Sequence, residues 1–139
     1  MKTRISAIVF AIIVSFSTML KATEKLYDDQ LASNAVVVLR VEYMMPSAGH
    51  GIIFDWQLVH VKNVFKNESN ENVNYDFDIG HLKGKSGIPS GECTVYLEHY
   101  DYQNKVFSKK SNTPFSKWVL VGGDATNGVS HVNSHPKFK

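Results

Sequence analysis

The chain is nearly without cysteine. Its 139 residues hold one, Cys93, which excludes the internal disulfide framework that small exported domains use. It has no large excess of charge of either sign, with 15 Lys and Arg against 13 Asp and Glu, which weakens the case for nucleic acid or anionic lipid as a partner. It has no Gly-x-Ser-x-Gly elbow and no His-Glu-x-x-His pair, so two common hydrolase arrangements are absent. No cofactor is implied by any motif. Long apolar runs are also missing, apart from ISAIVFAIIVSF at Ile5–Phe16. That run is shorter than the roughly 20 residues a membrane span needs, and Lys21 follows it closely.

What is present at the N-terminus has the layout of a secretory signal peptide: Lys2 and Arg4, the apolar run, then small and polar residues up to Ala22. Cleavage is expected after Ala22, with Ser17 as the alternative. The chain is therefore expected to be secreted or periplasmic, and not membrane-spanning once the leader is removed. Residues 1–22 carry three of the 15 basic residues and none of the acidic ones, so the mature part has 12 positive against 13 negative charges. Nucleic acid is not an expected partner. About 117 residues remain, enough for one domain with a single core. That domain is expected over residues 23–123, with 124–139 as a partly mobile tail.

The patterning of the domain is β-type. AVVVLRVEY (35–43) is rich in β-branched residues. IIFDWQLVHVKNVF (52–65) is a second, long strand candidate whose alternation slips between Trp56 and Val59, which suggests a bulge or bend. VNYDFDI (73–79) alternates cleanly, with Val73, Tyr75, Phe77 and Ile79 on one face. ECTVYLEH (92–99) and KWVLV (117–121) complete five strands. Cys93 shares parity with Val95 and Leu97 and is expected to be a buried hydrophobe. Five strands, one long and bent, predict a mainly all-β fold, a small five-stranded OB-like Greek-key barrel. A small β-sandwich is the alternative.

The runs AVVVLRVEY and IIFDWQLVHVKNVFKNES, with the later KWVLVGG, resemble the strands of netrin-like domains, the OB-type fold also used by tissue inhibitors of metalloproteinases. The resemblance spans roughly residues 34–123 and implies a barrel. The chain departs from those inhibitors where their mechanism lies, since they begin with a metal-chelating cysteine and this one has none there.

DIGHLKGKSG (78–87) looks at first like a phosphate loop. The pattern G-x-x-x-x-G-K-[ST] needs glycine at 79, and residue 79 is Ile. Gly87-Ile88-Pro89 then opposes a following helix. The stretch reads as a flexible basic loop, with Lys83 and Lys85 available to an acidic partner. Tyr96, Tyr100, Tyr102 and Trp118 supply aromatic groups suited to protein or glycan contacts, unless they close the barrel core. Asn74, Asp76 and Asp78 mimic the start of a calcium loop but put Ile79 and Lys85 where Gly and Glu are required. A metal, if bound, would fall to Asp76, Asp78 and His81. His131 and His135, four apart before Pro136, read as surface histidines, and Asn67-Glu68-Ser69 is a glycosylation sequon.

The sequence therefore points to an exported, non-catalytic binding module, an inhibitor or immunity-type blocker of another exported protein, or a reader of a glycan. Two alternatives stay open. One is a small metal-dependent exported hydrolase using Asp76, Asp78, His81, His99 and Asp101. The other is a structural component of an envelope assembly.

Overall fold

The computed structural model describes residues 27–47, 52–110 and 118–130. The N-terminal segment expected to be a leader, and His50, His131 and His135, lie outside the described residues. Helix α1 (Asp29–Asn34) starts at Asp28, whose carboxylate accepts from the amides of Gln30 and Leu31. Strands β1 (Val37–Pro46), β2 (Phe54–Asn67), β3 (Phe77–Leu82), β4 (Glu92–Asp101), β5 (Val106–Ser108) and β6 (Trp118–Leu120) follow, then a 3-10 turn at Val121–Gly123, helix α2 (Ala125–Gly128) and β7 (Val129–Ser130). Among the described residues no helix is long and apolar enough to cross a membrane.

Neighbouring strands run β1-β2-β3-β6-β4, and β4 pairs back with β1, which closes the sheet into a five-stranded barrel. The β3–β6 contact is parallel and the others are antiparallel. Closure decides for the barrel over the sandwich. Strands β5 and β7 are additions, each paired with β4. The barrel unit therefore continues past residue 123: α2 and β7 pack onto it, and Val129 is buried in the main core.

Register places Val37, Leu39, Val41, Val59, Ile79, Val95, Leu97 and Leu120 inside the barrel. Cys93 joins them, 1% exposed, and burial pushes its thiol up to about 11. At pH 8 only about one such thiol in a thousand is ionised. Cys93 is expected to ignore a disulfide reagent in the folded protein and to react fully once guanidinium unfolds it. Rapid native labelling would show that the site opens.

The parity change in β2 has a different cause from the expected one. Phe54 and Trp56 face outward into a separate aromatic cluster, whereas Val59 and Val61 face inward. Both sets are buried, on opposite faces. The register shifts fall elsewhere, at Lys62 and Phe65 of β2 and at Met44 of β1. The third strand also starts later than its alternation suggests. Residues 73–76 lie before β3, and Tyr75 is exposed rather than aligned with the core. The β2–β3 pairing begins at Val59 and Phe77, so the residues before Phe77 have no strand beside them in that ladder.

Strand β4 is buried on both faces along nearly its whole length. Its inner side chains fill the barrel. On the outer face Tyr96 lies beneath α1, with Ala32, Ala35 and Val38 around it. The Tyr96 hydroxyl accepts from the Asp28 amide at 2.7 Å and shares a hydrogen bond with Ser130 Oγ at 2.9 Å. One side chain thus ties the start and the end of the described chain to the central strand.

Candidate functional site

The outer face of the barrel carries an aromatic cluster. Phe54 is its centre, with Tyr100 at 4.9 Å, Trp56 at 5.8 Å, Tyr102 at 6.3 Å and Phe107 at 6.4 Å between ring centroids. Most of these pairs are edge-to-face, the arrangement favoured by the ring quadrupole. Trp56 fits because its register partner is Gly80. A Cβ at that position would come within 2.8 Å of the indole.

The β4–β5 hairpin is shaped by Asp101. Its Oδ1 accepts from the amides of Gln103 and Asn104, and Oδ2 accepts from Asn104 Nδ2. The hairpin leans on the cluster through Phe107 and leaves Tyr102 and Val106 exposed, at 39% and 50%. Ile52, beside the cluster member Ile53, is exposed as well. The Ile53 carbonyl accepts from the Lys83 amide at 3.0 Å, which brings exposed Lys83 and Lys85 to the same region. Tyr102 and Ile52 are thus the exposed apolar side chains beside the cluster, with lysines at its margin, whereas Val106, next to Phe107 on β5, projects to the other face of the hairpin.

Of the six side chains expected to contact a partner, Lys83, Lys85 and Tyr102 are exposed. Tyr96, Tyr100 and Trp118 are buried, but only Trp118 lies in the barrel core, while Tyr96 and Tyr100 are covered in separate clusters on the outer face. Ile52 carries no motif in the sequence.

The 80–91 stretch, expected to be a flexible loop, is strand as far as Leu82 and is held at several points beyond it. The Gln57 side chain donates to the Ile88 carbonyl and accepts from the Ile88 amide, at 2.9 and 2.7 Å. Ser86 Oγ donates to Asp124 Oδ1 at 2.7 Å, and the Ala125 amide donates to the Ser86 carbonyl. Asp124 also caps α2, and the Ser86 bond leads the causes that hold its carboxyl below the usual range. The serine of the false phosphate motif is thus engaged with a carboxylate.

The candidate metal ligands do not converge. Asp76 Oδ1 meets His60 Nδ1 at 2.6 Å. Asp78 and His81, three apart on β3, project to opposite faces. Among the described residues no group of three or more His, Cys, Asp or Glu side chains is placed to hold a metal ion. His99 and Asp101, raised for a hydrolase, have separate settings. Asp101 shapes the turn, and His99 points inward against Trp118, with ring centroids 3.9 Å apart.

His99 is 2% exposed, and its Nδ1 has no hydrogen-bond partner among the described residues. Burial lowers its pKa, opposed by the nearby Glu71 charge. A histidine held neutral in the fold binds its proton more readily when unfolded. Stability is therefore full above the unfolded value of about 6.5 and declines as pH falls below it, levelling off once the folded form also protonates. Urea melts between pH 7 and 5 are expected to show this slope, and His99→Gln to flatten it. An unchanged slope would place the titration elsewhere.

The architecture so defined is a closed five-stranded barrel with an aromatic, lysine-edged outer surface. A scan against protein-family models and searches of the curated proteins and of the solved structures return no match.

Proposed function

We propose that this chain is an exported, non-catalytic binding module that contacts another exported protein through the surface of Ile52 and Tyr102, with Lys83 and Lys85 engaging acidic groups of the partner. The observation that carries this reading is the exposure of Tyr102 and Ile52 beside a rigid aromatic base. Aromatic anchors on a pre-ordered support lose little entropy on binding and are frequent hot spots. The marginal lysines favour a partner of opposite charge and would raise the association rate. The signal-like N-terminus supports export, and the likeness to netrin-like domains supports a module of the blocking kind, without their cysteine-based mechanism.

The test is affinity capture from the exported fraction of the source organism. Wild type and the remote control Glu42→Ala are expected to retain the same acidic protein. Ile52→Asp and the pair Lys83→Glu, Lys85→Glu are expected to lose it. Tyr102→Ala is expected to weaken binding by about 2 kcal/mol or more, measured by calorimetry. Equal retention by every variant would remove this surface from the function.

A further inference from the structure

We propose that a recess at the end of the barrel, with His99 in its lining, binds a small zwitterion, a molecule presenting one ammonium and one carboxylate as a free amino acid or a short peptide does. This site is separate from the outer aromatic surface, because His99 and Tyr100 project to opposite faces of β4.

The recess lies where β2 ends and β1 begins. Its volume is about 360 Å³, and its lining includes Glu68, Glu71, His99, Lys109 and Lys110. Small-molecule sites occupy about 300–1,000 Å³ and recur in the mouths of β-barrels. The His99 ring is held against Trp118, and its Nδ1 is an unpartnered buried polar atom among the described residues. Such atoms are uncommon in folded proteins and call for a partner. A neutral imidazole offers one donor and one acceptor.

The charged groups around it divide into committed and uncommitted. Glu68 pairs with Lys66 at 3.1 Å, and Lys66 also donates to the carbonyls of Ala32 and Ala35. Lys109 donates to the Ser33 carbonyl at 3.2 Å. The carboxylate of Glu71 and the ammonium of Lys110 make no hydrogen bond or ion pair among the described residues. One wall is ordered in advance. Asn67 accepts from the Ser69 amide and hydroxyl through Oδ1 and donates to the Glu71 carbonyl through Nδ2, which fixes the 67–71 turn.

A purely anionic ligand would meet Glu68 and Glu71, and a purely cationic one Lys109 and Lys110. A molecule with both charges meets Glu71 with its ammonium and Lys110 with its carboxylate, while a polar atom of its body reaches His99. Opposite charges in one concavity select for that pattern.

The experiment follows the imidazole proton resonances of His99 while the purified protein is titrated with glycylglycine and, separately, with an equimolar mixture of free amino acids. Glucose, acetate and methylammonium serve as neutral and half-ligand probes. A saturable shift with at least one zwitterionic probe is expected. Glu71→Gln and Lys110→Gln, both at exposed positions that leave the core intact, are each expected to weaken it about tenfold or more, the worth of a charge-assisted bond. The proposal is overturned if no zwitterionic probe gives a saturable shift, if a neutral or half-ligand probe saturates with equal affinity, or if both variants bind as wild type does. Because the readout is a resonance inside the barrel, its failure leaves the outer-surface reading standing, and loss of partner capture leaves this one standing.

Discussion

Phe54→Ala is expected to lower the unfolding free energy by about 3–5 kcal/mol, the usual cost of removing a buried phenylalanine. Few single changes in this chain should cost more. Phe54 is 1% exposed and touches Trp56, Tyr100, Tyr102 and Phe107, which come from different parts of the sequence. Its neighbours are flat rings fixed by strand pairing, so they cannot collapse to fill the gap, and the cavity term stays large. Total stability for a domain of this size is about 5–15 kcal/mol. The substitution therefore removes a large share of it, and the midpoint of a urea melt should fall steeply. The loss also has a local consequence. The β4–β5 hairpin rests on this ring, so Tyr102 should lose its fixed setting and partner capture should weaken even where the domain stays folded. Tyr102→Ala isolates the surface term, because Tyr102 is partly exposed and its removal should cost the fold far less. Equal urea midpoints for Phe54→Ala and wild type would mean that the cluster does not bear on stability.

Gly123→Ala should be nearly as damaging, for two reasons that add. The backbone there has φ of +72°, where an L side chain costs about 1–2 kcal/mol. An added Cβ would also lie 2.5 Å from Leu82 Cγ and 3.0 Å from Phe107. Leu82 and Phe107 both belong to the aromatic cluster, so neither yields without disturbing it, and overpacking adds about 1–3 kcal/mol. Gly84 separates the two terms. Its φ is +80°, but nothing lies within 4 Å of the Cβ position. Gly84→Ala should show the backbone cost alone, about 1–2 kcal/mol. If both substitutions lowered the urea midpoint equally, the steric contribution at Gly123 would be absent.

Much of the barrel is readable without coordinates. The β-branched run of β1, the Cys93–Val95–Leu97 alternation of β4 and the stop at Gly122-Gly123 each follow from local preference. Strands β5 and β7 escape such reading. At three and two residues they have no period to detect, and only pairing with β4 makes them strands. The aromatic residues divide for a similar reason. Tyr96 and Tyr102 look alike in sequence, yet one lies under α1 and the other on a hairpin turn. The aim of Gln57 at Ile88, 31 positions away, has no sequence signature at all.

Local chemistry by itself determined that this chain makes short alternating strands, that it closes no disulfide, and that Gly84-Lys85-Ser86 is no phosphate cradle. Only the tertiary structure decided which face of each strand is covered and which groups meet. The reason is geometric: where both faces of a strand are apolar, as in β4, its own sequence does not say which segment covers each of them. Here the covering segments lie far off in the chain, as with Tyr96 and the Asp28 amide 68 positions apart. The same distant packing left His99 buried beside Glu71 and Lys110, and raised Tyr102, Val106 and Ile52 to the surface.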